Sequence, residues 1–207
     1  NSKSLQNSTK SHWTISLNDN MNTRKIKTKV FGEICSLEIM DFTKVDGKKW
    51  KSTFDLWRGL KMGMRDYKSR EPNFPEGLSE VAFCLWSGSS RFISAYGLSN
   101  TSFDTFNVKT GKAEQIKACS VENDLTSFGP RSRWDDLYFL DFYNDGKVDG
   151  KFDIYHIPSK LIYENRVNKN QIFKDQQGEK RRPRFCIKKD IIAKNKLKPI
   201  ATKVKVW

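Results

Sequence analysis

The chain has 207 residues, and its 38 lysines and arginines exceed its 24 aspartates and glutamates, so the formal net charge at pH 7 is +14. Hydrophobic residues make up 37% and aromatic residues 13%, which excludes a disordered basic protein and fits one α/β domain. No run approaches the roughly 18 apolar residues of a membrane span, and the first residues lack the basic-then-apolar order of a secretory signal. We therefore expect a cytoplasmic protein with a polyanionic partner.

Most of the positive charge lies at the C-terminal end. Residues 166–207 hold 14 basic and 3 acidic residues, a net charge of +11, whereas residues 1–165 hold 24 basic and 21 acidic residues. We predict a flexible N-terminal arm over the polar residues 1–20 and a single domain over residues 21–207. Residues 166–207 would be the basic DNA-binding part of that domain, with a solvated basic tail as the alternative.

Cysteine and histidine are too few and too scattered for a zinc site. The four cysteines have no C-x-x-C spacing, so we expect reduced thiols, at Cys35, Cys84, Cys119 and Cys186. With His12 and His156 as the only histidines, His-rich metal sites and Ser-His-Asp hydrolysis are disfavoured.

Two helices are predicted before the strands. The first, from about Lys49 to Lys68, has an apolar stripe at three- and four-residue steps, formed by Trp50, Phe54, Trp57, Leu60, Met64 and Tyr67. Its opposite face is basic, and either solvated or turned towards DNA, with Lys51, Arg58, Lys61, Arg65 and Lys68. The second helix starts near Pro75, where proline fits the first turn, and ends near Trp86.

The middle of the chain is predicted to form strands. Their segments are Arg91–Gly97, Ser102–Phe106, Ala113–Val121, Asp135–Tyr143 and Lys151–Ile157. The turn-forming cluster NVKTGK joins the segments Ser102–Phe106 and Ala113–Val121 into a hairpin. The nearly continuous apolar run of Asp135–Tyr143 indicates a strand that is covered on both faces. A short helix follows Pro158, and Phe185–Leu197 holds one more. The order helix, helix, several strands, helix predicts a mixed α/β fold with a central sheet.

The hairpin places three chemically useful side chains together. Because side chains alternate along a strand, Gln115 and Lys117 share one face, and Asp104 on the partner strand can reach it. A carboxylate, an amide oxygen and an ammonium group thus converge at a sheet edge. Metal-dependent phosphodiester hydrolysis needs such groups: Mg²⁺ prefers oxygen ligands and keeps several waters, and a nearby lysine can orient the attacking water and stabilise charge on the phosphate.

This pattern resembles the PD-(D/E)XK nuclease superfamily, whose motif is an aspartate, a spacer, and (D/E)-x-K on the next strand. The resemblance implies a restriction-endonuclease-like mixed central β-sheet flanked by helices, with Asp104 as a metal ligand, Gln115 in the acidic position and Lys117 as the catalytic lysine. Glu80 would match the helix-borne acid that many members use as an auxiliary ligand. Over roughly residues 50 to 190, a similarity extends to a small group of type II restriction enzymes, carried by LSEVAFCLW, SFDTF, QIKA, DLTSFGPRS, WDDLYFLDF and FDIYHIP.

That group cleaves interrupted GC-rich palindromes of the GC-N-GC kind. The resemblance therefore implies Mg²⁺-dependent cleavage of double-stranded DNA that leaves 5′-phosphate and 3′-hydroxyl ends. A palindromic target makes a homodimer the economical arrangement, with one active site for each strand. The natural counterpart of such an enzyme is a DNA methyltransferase that protects the host sites.

Gln115 departs from the superfamily pattern, which has Glu or Asp at this position. A neutral ligand should weaken metal affinity, but it keeps the coordinating oxygen. Adjacent Glu114 could replace Gln115 only if a bulge reversed the facing of the strand.

Two further segments are candidates for DNA binding. In DLTSFGPRSRWD, the side chains of Ser127, Arg131 and Arg133 can hold phosphates, although a basic surface loop is the alternative. In EKRRPRF, three arginines can read guanine through its O6 and N7 atoms, namely Arg181, Arg182 and Arg184.

Two other functions remain open at this stage. The first is a repair or junction-resolving nuclease with the same active site. The second is a non-catalytic DNA-binding protein on a nuclease scaffold, which the neutral Gln115 keeps in consideration.

Overall fold

A mixed eight-stranded sheet forms the centre of the molecule, which is known from a computed structural model that describes residues 22–207. In chain order, the strands of this sheet are β1 (Thr23–Val30), β2 (Glu33–Met40), β3 (Ser90–Tyr96), β4 (Thr105–Asn107), β5 (Lys112–Cys119), β7 (Asp136–Asp141), β8 (Phe152–Ile157) and β10 (Ala201–Val204). They lie side by side in this same order, and only the β5–β7 pair is parallel. A second sheet pairs β6 (Thr126–Ser127) with β9 (Arg184–Phe185).

The helices flank this sheet. They are α1 (Lys44–Asp66), α2 (Glu76–Ser87), α3 (Ser159–Tyr163) and α4 (Phe173–Gly178), with a π-helical segment at Ile187–Ala193. The predicted mixed α/β fold with a central sheet and flanking helices is confirmed. No helix within residues 22–207 is long and apolar enough to cross a membrane. The predicted N-terminal arm, residues 1–20, lies outside the described residues.

The predicted order of elements is wrong at the start, because two strands precede the first helix. β1 and β2 form a hairpin in register from Thr23 opposite Met40 to Val30 opposite Glu33. The turn residues Phe31 and Gly32 both have positive φ, at 51° and 94°, as a two-residue hairpin turn requires. The sequence of β1 does alternate: Lys25, Lys27 and Lys29 are exposed, whereas Ile26, Thr28 and Val30 between them are partly or fully buried.

The apolar stripe of α1 is predicted correctly in its first half only. Trp50, Phe54 and Trp57 are buried, but the next buried position is Lys61, and Leu60 is 58% exposed. The Lys61 ammonium donates to the carbonyl and hydroxyl oxygens of Ser120, both at 3.2 Å, and lies 5.2 Å from the centroid of the Trp57 ring. A lysine can occupy the inward position because its polar end has partners there.

The two faces of the sheet carry different apolar clusters. On β7, Leu137 and Phe139 pack against the side of α3, α4 and the π-helical segment, whereas Leu140 packs against α1 and α2. The fourth predicted strand is thus covered on both faces, as its sequence indicates. A third cluster fills the space between the β1–β2 hairpin and β4, and includes Leu37 and Phe106.

The C-terminal residues are part of the fold and not a solvated tail. β10 pairs with β8, and the Trp207 ring stacks on the Trp50 ring of α1 at a centroid distance of 5.7 Å. Cys35, Cys84, Cys119 and Cys186 are all free and buried, as expected for reduced core thiols.

Candidate active site

Strand β4 separates from β5 after a short paired stretch, so that the rest of this edge of β5 has no neighbouring strand. β5 pairs with β4 only over Lys112–Glu114, but with β7 over Glu114–Cys119. Asp104, the residue before β4, stands at the point of separation. Its backbone N–H donates to the Glu114 carbonyl at 2.9 Å, and its carboxylate accepts from the Ile116 N–H at 2.8 Å. The carboxylate is therefore fixed at the free edge of β5.

A cavity of about 360 Å³ opens at this edge. Asp104, Gln115 and Lys117 all line it, so the three residues that the hairpin pattern predicts to converge lie together. The wall opposite β5 comes from the first turn of α2 and the segment before it. Four serines also contribute, with Ser79 in α2, Ser127 in β6, and Ser102 and Ser132 in loops.

Burial dominates the electrostatics of the cavity. It raises the pKa of the Asp104 carboxyl to about 7; the Lys117 ammonium opposes this rise, and the carboxylates of Glu80 and Glu76 add to it. The side-chain amide of Gln115 donates a hydrogen bond to the Asp104 carboxylate. The carbonyl oxygen Oε1 of Gln115 is buried and has no hydrogen-bond partner among the described residues.

Glu114 does not take the place of Gln115. Its carboxylate is buried on the other face of β5 and accepts from the Thr105 hydroxyl at 2.8 Å. The register of β5 with β7 is continuous from Glu114 to Cys119, so the strand has no bulge that would reverse its facing. Burial raises the pKa of the Glu114 carboxyl, while the hydrogen bond from Thr105 lowers it.

The donor set of the cavity fits Mg²⁺. No group of three or more His, Cys, Asp or Glu residues within residues 22–207 is placed to hold a metal ion. However, Mg²⁺ is held by one or two carboxylates together with waters and substrate phosphates, so such a cluster is not required. Asp104 offers a carboxylate, and the unpartnered Oε1 of Gln115 is a buried acceptor that otherwise carries an uncompensated desolvation cost.

Glu80, the predicted auxiliary ligand, lies outside the cavity lining. Its buried carboxylate accepts from the Arg91 guanidinium at 2.5 Å. Its role in metal binding stays a prediction. One helical turn earlier, Glu76 lines the cavity itself. The predicted site does not include Glu76, although an acid in the first turn of a helix beside Pro75 is a recognisable signal.

Asp124 is a second acid that the predicted site does not include. It lines the cavity from the loop after β5. Burial raises the pKa of its carboxyl, and the backbone N–H of Leu125 and the Lys61 ammonium oppose this rise. No motif singles it out, because its place depends on the course of a loop without regular structure.

Three of the predicted DNA-binding residues line the cavity. Ser127 and Arg184 lie opposite each other in the β6–β9 sheet, and Arg182 lies beside them. The small sheet thus joins the DLTSFGPRS segment to the basic C-terminal part, which the sequence places far apart. A polar and basic rim results on one side of the site.

The other three predicted DNA-binding residues lie outside the cavity lining. The Arg131 carbonyl accepts from Asn100 Nδ2 at 2.8 Å, so the backbone of Arg131 holds the rim loop. The Arg133 guanidinium lies 4.4 Å from the centroid of the Phe31 ring. The Arg181 guanidinium approaches the Glu179 carboxylate at 3.4 Å and is exposed.

Comparison with known proteins identifies the family of this chain. The model of the Bsp6I restriction endonuclease family matches residues 42–194, which include α1, α2, the β4–β5 hairpin and both strands of the small sheet. The type II restriction enzyme Bsp6I of Bacillus sp. (strain RFL6) is 34% identical over 171 residues, which cover 80% of this chain and 93% of that enzyme. No solved structure matches. This chain belongs to the Bsp6I restriction endonuclease family.

Proposed function

We propose that this protein is a type II restriction endonuclease that hydrolyses phosphodiesters of double-stranded DNA with Mg²⁺. The observation that supports this most directly is the shared cavity of Asp104, Gln115 and Lys117 at the free edge of β5. Family membership and the similarity to a type II restriction enzyme supply the reaction class.

Asp104 and Gln115 are the residues that would hold Mg²⁺. When bound, the ion would neutralise phosphate charge and provide an activated water. The backbone N–H of Ile116 fixes the Asp104 carboxylate, and the hydrogen bond from its own side-chain amide to Asp104 fixes Gln115, so both oxygens are oriented before a ligand arrives.

Lys117 would orient the attacking water and stabilise the negative charge that develops on the phosphate. Its ammonium lies 5.5 Å from the centroid of the Phe128 ring, which is fully buried beneath the site. The ring limits the positions of the ammonium without using up its hydrogen bonds. Cleavage would leave a 5′-phosphate and a 3′-hydroxyl.

The rim of the cavity would hold the DNA backbone. Ser127, Arg182 and Arg184 offer donors for phosphate oxygens on one side of the scissile bond. Arg182 and Arg184 are also candidates, with the exposed Arg181, for reading guanine in a GC-N-GC-type target. Such a target is the specificity that we propose.

A palindromic target also calls for two active sites related by a two-fold axis, so we propose a homodimer. Its genetic counterpart would be a DNA methyltransferase of the same specificity, and both would act on DNA in the bacterial cytoplasm.

Digestion of plasmid DNA, followed by run-off sequencing of the ends, tests the proposed function. We expect discrete fragments in Mg²⁺, none in EDTA, and cuts at one short palindrome. Nicking that follows DNA structure and not sequence would favour a repair or junction-resolving nuclease. Binding without any cleavage in Mg²⁺ would favour a non-catalytic DNA-binding protein.

A further inference from the structure

A second groove, of about 370 Å³, lies between α1 and the segment that joins β7 to β8. One wall is formed by α1 through Arg58, Lys61, Met62 and Arg65, and the other by residues 146–149. Neither the active-site motif nor the basic C-terminal part contributes to it. No part of the function proposed above uses this groove.

The groove has an excess of positive charge. Four of its side chains are cationic, those of Arg58, Lys61, Arg65 and Lys147. The one acid in the lining, Asp149, is paired with Lys151 at 3.4 Å. At the edge of the groove, the carboxylate of Glu71 pairs with both Lys61 and Arg65.

Two of the four cations have no counterion. Within residues 22–207, neither Arg58 nor Lys147 forms an ion pair with a carboxylate. Both are exposed, and they come from opposite walls of the groove. An anion between the walls could therefore contact both without displacing a carboxylate. The arrangement fits an anionic partner and not an apolar one.

The groove adjoins the active-site cavity. Lys61 lines the groove, and its ammonium donates to Ser120, directly after β5. The segment between α1 and α2 separates the two openings: Glu71 pairs with groove residues, whereas Asn73 and Phe74 line the cavity. A long polyanion that enters the cavity can therefore continue across this short segment into the groove.

We propose that this groove binds backbone phosphates of duplex DNA beside the cleavage site, with Arg58 and Lys147 as the principal contacts. The proposal rests on the proposed function, because it takes DNA to be in the active-site cavity. Contacts to phosphates carry no sequence information. The groove would therefore strengthen binding to specific and unrelated duplexes alike.

The test is equilibrium binding of duplex DNA at several salt concentrations, in EDTA so that no cleavage occurs. In the double variant Arg58→Ala/Lys147→Ala, we expect affinity to fall on the order of tenfold near physiological salt. The slope of log affinity against log salt should become shallower by about 1.8, because each neutralised phosphate contributes about 0.9.

The matched control is Lys44→Ala/Lys48→Ala, which removes two exposed cations from the other end of α1. We expect it to keep the wild-type slope. The charge-conserving variant Arg58→Lys/Lys147→Arg should also keep the slope, which separates the effect of charge from that of altered packing.

An Arg58→Ala/Lys147→Ala slope equal to that of the control would overturn the groove proposal, as would a loss of affinity confined to the recognition duplex. Since binding is measured without cleavage, failure of the proposed function would show separately, as plasmid that stays uncut in Mg²⁺. If short acidic peptides displaced bound DNA at a lower concentration than competing duplex DNA does, this result would also contradict the groove proposal.

Discussion

The side-chain amide of Gln115 donates a hydrogen bond to the Asp104 carboxylate and leaves its own carbonyl oxygen buried without a partner among the described residues. A glutamate at position 115 would replace this hydrogen bond by two buried carboxylates side by side. We expect Gln115→Glu to lower the free energy of unfolding in EDTA by about 1–3 kcal/mol. Addition of Mg²⁺ should then raise its thermal midpoint more than that of the wild type, because the ion binds a second charge.

Gln115→Met is the control for this experiment, because it keeps the length of the side chain and removes the oxygen. We expect its midpoint to respond least to Mg²⁺. Equal responses of the wild type and both variants would show that residue 115 does not contact the ion.

Asp104→Ala and Lys117→Ala should each reduce plasmid cleavage by at least 10²-fold, because each removes a group expected to act on the reacting phosphate. Duplex binding should remain close to that of the wild type, since the arginines of the rim are intact. Lys112→Ala is the matched control on the same strand: the Lys112 ammonium pairs with Asp136 at 2.8 Å near the surface. Cleavage at the wild-type rate by either active-site variant would refute the assignment of the site.

Glu76 and Glu80 can be separated by two measurements. Glu80→Gln should mainly lower the free energy of unfolding, by about 1–3 kcal/mol, because it weakens the charged hydrogen bond to the partly buried Arg91. Glu76→Gln should leave stability nearly unchanged and weaken the binding of Mg²⁺, because it removes charge from the cavity wall. Mn²⁺ titration followed by electron paramagnetic resonance gives the affinity. If Glu80→Gln weakened Mg²⁺ binding and Glu76→Gln lowered stability, Glu80 and not Glu76 would be the auxiliary metal ligand.

The hairpin with the candidate active site could be predicted from the sequence because its determinants are local. The turn cluster before Lys112 sets the register, and the two-residue period of a strand then places Gln115 and Lys117 on one face. The strong apolar patterns of α2 and of the Asp136–Asp141 strand are likewise local. These elements begin and end within a few residues of the predicted bounds.

What the sequence does not show depends on contacts between distant segments. Ser127 meets Arg184 only because the two short strands pair, and Glu76 reaches the cavity only because α2 packs beside β5. The inward place of Lys61 requires Ser120, which is 59 residues away. Periodicity cannot predict such positions, because the partner that makes burial possible lies elsewhere in the chain.

We expect the exposed apolar face of α1 to form the contact between the two subunits of the proposed homodimer. Leu56, Leu60 and Tyr67 are 64%, 58% and 82% exposed, and their spacing of four and seven residues places them on one side of the helix. An apolar stripe of this kind is unusual on the surface of a monomer. We expect Leu56→Glu/Leu60→Glu to sediment as a monomer at concentrations where the wild type is a dimer.

Tyr96→Glu is the control for the dimer experiment, because Tyr96 is 85% exposed on β3 and lies outside this face. It should sediment like the wild type. A dimer that persists in the α1 double variant would place the two-fold contact elsewhere.

Two glycines of α1 test whether the C-terminal residues are seated against the helix. A Cβ atom at Gly47 would lie 2.0 Å from the carbonyl oxygen of Val206, whereas a Cβ at Gly59 would have no atom within 4 Å. We expect Gly47→Ala to lower the free energy of unfolding by about 1–3 kcal/mol, because the C-terminal backbone must move away. Gly59→Ala should raise it by about 0.5–1 kcal/mol, because alanine favours the helix. Chemical denaturation measures both, and a stabilising Gly47→Ala would mean that Val206 and Trp207 do not pack on α1 in solution.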